Sequence, residues 1–205
     1  MAQPNTSTSP LPDEALSRLI AGNQRYIAGF DAPDSFKFQD PAVKHHQQPY
    51  ACILGCADSR VSPEHTFDES HGSLFVTRVA GNFVTPEILA SLEYGTAVLG
   101  ASLIMVLGHS GCGAVNAAIE SVQSNPIFDG HIGQLIDNLA PCVEQVRHDD
   151  HEQWHRRAVI HNVATNVLIL ISSEPILKKR IEAGLLKVVG AVYNLESGVV
   201  SIIET

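Results

Sequence analysis

The chain has 205 residues, of which 44% are hydrophobic, and a formal charge of −9. That length suits one compact domain with a sizeable core, and the apolar content excludes a disordered chain. The acidic balance excludes nucleic acid as the main partner. No apolar run reaches spanning length, so no membrane partner is expected. No charged segment leads into an apolar one, which points to a cytoplasmic protein rather than a secreted one, with an organellar form after processing as the alternative.

Residues 1–11 are polar, with Ser, Thr and Pro, and read as a loose tail before a single domain over 12–205. Residues 12–29 form the pattern of a helical arm: Leu16, Leu19, Ile20 and Ile27 share a face, and Asp13 and Glu14 suit the N-terminal dipole. The stretch 30–49 carries Pro33, Pro41 and Pro49 and reads as loop. Strand one is 50–55, followed by a short helix at Pro63-Glu64. Strand two is 73–79, and a helix opens at Pro86, ending before Gly100. Strand three is 103–107. A helix then runs from Gly111 to about Val122, and another covers 131–146 with a kink expected at Pro141. A long helix spans 152–172, a fresh helix start is read at Ser173-Glu174-Pro175, and Gly184 stops it. Strand four is 186–193, and Glu196-Ser197-Gly198 turns the chain into an antiparallel last strand, 199–203. The alternation predicts an α/β fold: a mostly parallel central sheet of about five strands, with helices on both faces.

Four cysteines in a chain of this length do not make a disulfide scaffold. Cys52, inside strand one, and Cys142, in an amphipathic stretch, read as small buried hydrophobes. Cys56 is different. It stands just past a strand end in Gly55-Cys56-Ala57-Asp58-Ser59-Arg60, where open α/β sheets bind ligands. Strand three ends in Gly108-His109-Ser110-Gly111-Cys112-Gly113. If the two strands are neighbours, Cys56, His109 and Cys112 meet. Two thiolates and an imidazole suit zinc, and three protein ligands leave an open position, the mark of a catalytic site. The helix after Cys112 offers free N–H groups and a positive dipole end, which should lower the Cys112 thiol pKa. Arg60 would hold Asp58 ionised. Asp58 would then only accept hydrogen bonds, including one from the water that such a metal activates. Asp58 is also close enough to Cys56 to act as a conditional fourth ligand that shuts the site at lower pH, a switch that structures at acidic and alkaline pH would reveal or refute.

Cys56-Ala57-Asp58-Ser59-Arg60-Val61 and His109-Ser110-Gly111-Cys112-Gly113-Ala114-Val115 resemble the two signatures of β-class carbonic anhydrases. The likeness runs from about Pro12 to the end and includes Ala21-Gly22-Asn23-Gln24-Arg25-Tyr26 and Glu93-Tyr94. It implies interconversion of carbon dioxide and bicarbonate at Zn2+ on Cys56, His109 and Cys112, with Asp58 and Arg60 as the catalytic dyad. By matched position it implies that Gln47, Phe75, Ala80 and Tyr94 line the substrate pocket, Tyr94 reaching across a dimer. It further implies a homodimer, or a dimer of dimers, with N-terminal helices crossing onto the partner. In one branch of the family a Trp three residues before the first Cys helps to form an inhibitory bicarbonate pocket. Here that position is Ile53, so the pocket is expected to be absent or altered.

Three other readings compete. The same site could hydrolyse carbonyl sulfide or carbon disulfide. Asp58 as a permanent fourth ligand would make a closed, non-enzymatic zinc site, which Arg60 disfavours because it would lose its partner. Finally, His151-Glu152-Gln153-Trp154-His155 matches the H-E-x-x-H pattern of metalloproteases, with His161 at the third-ligand spacing. That last reading is disfavoured. The helix-breaking Gly of the longer motif is replaced by Ala158, and in an unbroken helix His161 lies roughly 240° around from His155, at ~100° per residue.

Overall fold

The computed structural model describes residues 9–29 and 47–204. Five strands form one sheet: β1 (Ala51–Gly55), β2 (Leu74–Arg78), β3 (Leu103–His109), β4 (Lys187–Tyr193) and β5 (Val200–Ile203). Their spatial order is β2-β1-β3-β4-β5. The first four run parallel and β5 returns antiparallel to β4. Seven helices lie among the described residues: α1 (Pro12–Ile27), α2 (Pro63–Thr66), α3 (Pro86–Ala97), α4 (Gly113–Ser124), α5 (Ile132–Glu144), α6 (His151–Ser172) and α7 (Leu177–Glu182). The expected α/β architecture is therefore present. Residues 1–8 of the expected tail and 30–46 of the expected loop lie outside the described residues.

The strand order explains how the faces are covered. From β1 the chain steps one way to β2. It then crosses back to β3 and continues to β4. Right-handed crossovers put opposite steps on opposite faces. Residues of the first connection, Val61 and Phe67, pack on one face with Ile53, Met105 and Ala191. Leu92 of α3 and Val163 and Val167 of α6 pack on the other, against Leu54, Ile104 and Val106. The alternation Ile53/Leu54 and Met105/Val106 between two core clusters is the period-2 rule of a strand buried on both sides. The first connection holds only the four-residue α2. That face would stay partly bare without α1, which buries Ala15 and Leu19 there. α1 thus packs on its own chain's sheet through Ala15 and Leu19.

Several boundaries differ from the sequence reading, each for a local reason. β3 runs on to His109 because Gly108 and His109 still pair with Val192 and Tyr193 of β4. α4 begins at Gly113, since Gly111 has φ +64° and Cys112 is its extended N-cap. α7 begins at Leu177 rather than Ser173, because a residue that precedes a proline, here Glu174, is pushed out of the helical region. Pro141 lies inside α5, as read. Asp150 caps α6 by accepting the Gln153 N–H at 2.9 Å.

Gly22 is the point of closest approach between α1 and the α2 segment. A Cβ there would stand 1.9 Å from the Phe67 carbonyl oxygen. Ala is the better helix former by ~1 kcal/mol, but overpacking of this kind typically costs about 1–3 kcal/mol, and the obstacle here is rigid backbone. Gly22→Ala is therefore expected to lower Tm, by roughly 2–4 °C per kcal/mol lost. Thermal unfolding at or above the wild-type midpoint would mean that α1 does not dock in this way.

Candidate metal centre

In a 2-1-3-4-5 sheet the chain reverses its direction of travel between β1 and β3, and a crevice opens at their carboxyl ends. Both halves of the candidate site sit at that crevice. Gly55 pairs with Leu107, so Cys56 leaves the end of β1 while β3 continues two residues further to His109. The left-handed turn at Gly111 then brings Cys112 back over the strand ends. Ser110 holds this turn: its N–H donates to the Tyr193 carbonyl at 2.9 Å, and its Oγ accepts the Leu195 N–H at 2.9 Å.

Sγ of Cys56, a ring nitrogen of His109 and Sγ of Cys112 lie within 4.8 Å of one another, and no other such group of three occurs among the described residues. The side chains are buried, at 4%, 0% and 1% exposure respectively. The two sulfurs are 3.9 Å apart. Two sulfurs on one tetrahedral zinc at ~2.3 Å would stand roughly 3.8 Å apart. His109 Nδ1 lies 2.9 Å from the Ser110 carbonyl, to which it donates as N–H. This leaves the Nε2 lone pair turned to the cluster, and Nε2 is buried with no hydrogen-bond partner. A buried polar atom with no partner costs free energy unless something binds it. Donor set, spacing and orphaned nitrogen all fit zinc.

The two thiols shift in opposite directions. The pKa of Cys56 is pulled down, chiefly by the hydrogen bond from Cys112 and further by the Gly81 N–H, against the opposing effect of burial. Gly81 N is 3.3 Å from the Cys56 sulfur. Cys112 is pushed up instead, because it keeps the proton the pair shares. The N–H groups of Val115 and Ala114 at the start of α4 do lower it, as the sequence suggested, but without metal the neighbouring Cys56 outweighs them. A dication binding both sulfurs would remove that competition.

Beside the cluster stands Asp58. Its Oδ1 accepts the Arg60 backbone N–H at 2.9 Å and the Arg60 Nε–H at 3.0 Å, and its Oδ2 accepts from Arg60 Nη2 at 2.7 Å. The Arg60 side chain is the main cause that holds the Asp58 carboxyl well below the usual carboxylate range, with the Arg60 backbone N–H adding to it. Oδ2 is 3.9 Å from His109 Nε2. Arg78, which nothing in the sequence marked, clamps this loop. It donates from Nε to the Cys56 carbonyl at 2.8 Å, and from Nη2 to the carbonyls of Asp58 at 2.6 Å and Val61 at 2.9 Å.

The remaining candidates are distributed unevenly. Ala80 directly precedes Gly81, whose N–H donates to the Cys56 sulfur. Phe75 pairs in register with Cys52, on the order of 13 Å along the strand from Cys56 at ~3.3 Å per residue. Its ring lies 6.2 Å from that of Tyr94 on α3, and Tyr94 is 48% exposed. Gln47, also exposed, precedes the opposite end of β1. Ile53 is fully buried in the core. The H-E-x-x-H residues do not converge. His155 Nε2 meets the Cys112 carbonyl at 3.1 Å, His161 Nδ1 meets the Cys142 carbonyl at 3.0 Å, and His151 is exposed. Among the described residues, no helix is long and apolar enough to cross a membrane.

Comparison with known proteins agrees with this geometry. Residues 51–200 match the family model described as carbonic anhydrase. The chain is 37% identical over 199 residues to carbonic anhydrase 2 of Mycobacterium tuberculosis, covering 95% of this chain and 92% of that one. It is 37% identical over 160 residues to a carbonic anhydrase of Pseudomonas aeruginosa, covering 74% and 72%. Among solved structures, the Coccomyxa β-carbonic anhydrase in complex with acetazolamide superposes with a TM-score of 0.72 at 29% identity, over 92% of this chain and 86% of that one. One of two tetrameric β-carbonic anhydrases from Sordaria macrospora shares the fold, with a TM-score of 0.74 at 24% identity over 94% and 96% of the two chains. The chain belongs to the carbonic anhydrase family, in its β class, the lyases that hydrate carbon dioxide.

Proposed function

We propose that this chain interconverts carbon dioxide and bicarbonate at a zinc ion held by Cys56, His109 and Cys112, with Asp58 and Arg60 completing the site. The observation that carries the reading is the orphaned Nε2 of His109, which stands between two sulfurs at metal-sharing distance and a carboxylate held ionised. When bound, the zinc supplies a Lewis acid that lowers the pKa of a coordinated water towards ~7.

The chain's own groups do the rest. Ionised Asp58 accepts hydrogen bonds and donates none, so it orients a water by taking one of its protons into a hydrogen bond. The oxygen lone pair is then left to face the substrate carbon. Arg60 fixes both carboxylate oxygens and keeps Asp58 in its acceptor state at neutral pH. Arg78, which holds the Asp58 carbonyl, keeps the dyad in register with Cys56. Ala80, next to Gly81, is read by its matched position as lining the substrate pocket. Carbon dioxide and water give bicarbonate and one proton, and the proton passes to bulk buffer. The engagement of both Asp58 oxygens by Arg60 favours an open site over the closed, non-enzymatic one. The carbonic anhydrase relatives favour carbon dioxide over carbonyl sulfide or carbon disulfide.

The separation of Gln47, Phe75 and Tyr94 from their own chain's cluster supports a homodimer, or a dimer of dimers, in which they line the pocket of a second copy. Stopped-flow assays of carbon dioxide hydration test the residue roles. Cys112→Ala is expected to abolish turnover. Asp58→Ala is expected to lower kcat by about 10²-fold or more while zinc content is retained. His151→Ala is expected to match wild type. Loss of activity on His151→Ala, or full activity in Asp58→Ala, would contradict the assignment. Light scattering is expected to report a dimer or tetramer, and a fully active monomer would refute the shared pocket.

A further inference from the structure

Among the described residues, the helix that carries the H-E-x-x-H pattern joins no metal-ligand cluster, yet one of its faces reaches the Cys112 carbonyl and the Gly81 turn beside Cys56. His155 and Asn162 are seven residues apart on α6, close to two full turns, so they share a side. The Cys112 carbonyl that meets His155 Nε2 at 3.1 Å also receives the Asn116 N–H at 3.0 Å, which closes the first turn of α4. Both lone pairs of that oxygen are engaged. Two turns further along, Asn162 is 2% exposed and donates from Nδ2 to the Gly81 carbonyl at 2.8 Å. The Gly81 N–H is the group that donates to the Cys56 sulfur. Asn166 locks this arrangement: its Nδ2 donates to Asn162 Oδ1 at 3.0 Å, and its Oδ1 accepts the Val84 N–H at 2.7 Å.

We propose that His155 and Asn162 are positioning residues of the metal centre. His155 holds the Cys112 carbonyl, and Asn162, by holding the Gly81 carbonyl, restrains the turn from which the Gly81 N–H reaches the Cys56 thiolate. The proposal rests on the zinc reading above. Groups that hold metal ligands from behind set ligand orientation and donor strength, and their loss typically costs about 10–100-fold in metal affinity. An N–H on a thiolate draws charge away from the sulfur, so the metal keeps more of its Lewis acidity. Removal of either support should therefore change the electronic coupling between sulfur and metal as well as the affinity. A role limited to tying α6 to the core would change only thermal stability.

Three readouts separate these outcomes: zinc affinity by chelator competition, the thiolate-to-cobalt charge-transfer band of the cobalt-loaded protein, and Tm. His155→Leu is expected to weaken zinc binding about 10–100-fold and to shift the band while Tm stays near wild type. His155→Gln, whose amide donates, is expected to recover both. Wild-type affinity with an unshifted band in His155→Leu overturns the proposal, as does a folded His155→Gln that recovers neither. For Asn162 the direct readout is the wild-type protein loaded with cadmium-113, in which the Gly81 amide proton is expected to show scalar coupling to the metal through the hydrogen bond to sulfur. Asn162→Ala is expected to reduce that coupling. No coupling at Gly81 in the wild type overturns this half even if Asn162→Ala does not fold. A wild-type chain that takes up no zinc, cobalt or cadmium overturns the metal reading itself, an outcome distinct from intact loading with unaffected variants.

Discussion

Everything at the site depends on the parallel pairing of β1 with β3 and on the unequal lengths of the two strands. Register sets Gly55 beside Leu107. β1 then stops, while β3 is carried two residues further by its bonds to β4. The short strand delivers Cys56 and the long one delivers His109 above it. Slippage by one residue would turn each ligand to the opposite face of the sheet. That slip is opposed by the apolar side chains that both strands bury on both faces, since it would exchange the contents of two packed cores.

The same arrangement makes the cluster costly until it is filled. Two thiols and an imidazole nitrogen are held away from water; the sulfurs have the backbone N–H groups of Asp58, Gly81 and the start of α4 and each other, and the imidazole Nε2 has no partner. One sulfur gives up its proton readily and its neighbour then keeps its own. A divalent cation resolves that frustration for both. By contrast Asp58 needs no metal to be ionised, because Arg60 already grips both of its oxygens. The site thus divides the work between groups that wait for the ion and a dyad fixed in advance, held together by the Arg78 clamp on the intervening backbone.

Much of this was legible in the sequence because it is local. Cys56 and His109 each follow an apolar run that ends in glycine-containing turn residues, so their place at strand ends could be read from periodicity, and Cys112 followed from the three-residue spacing. The extension of β3 through Gly108 and His109 was not legible, since it depends on pairing with a strand some eighty residues later. Arg78, Ser110, His155 and Asn162 escaped for a related reason. Each acts on backbone carbonyls or amides of distant segments, and a carbonyl carries no residue-type signature that a motif could record. The H-E-x-x-H pattern shows the converse. Its spacing is that of a metal site, but on an unbroken α6 its histidines serve two different carbonyls. Gln47, Phe75 and Tyr94 were named by matched position alone, and the Phe75 ring stands beside that of Tyr94 on α3.

The most direct test of the central claim is X-ray absorption at the zinc edge of the purified, zinc-loaded protein at neutral pH. Two sulfur scatterers at ~2.3 Å and two nitrogen or oxygen scatterers near ~2.0–2.1 Å are expected. A first shell of nitrogen and oxygen alone would place the metal elsewhere and contradict the account.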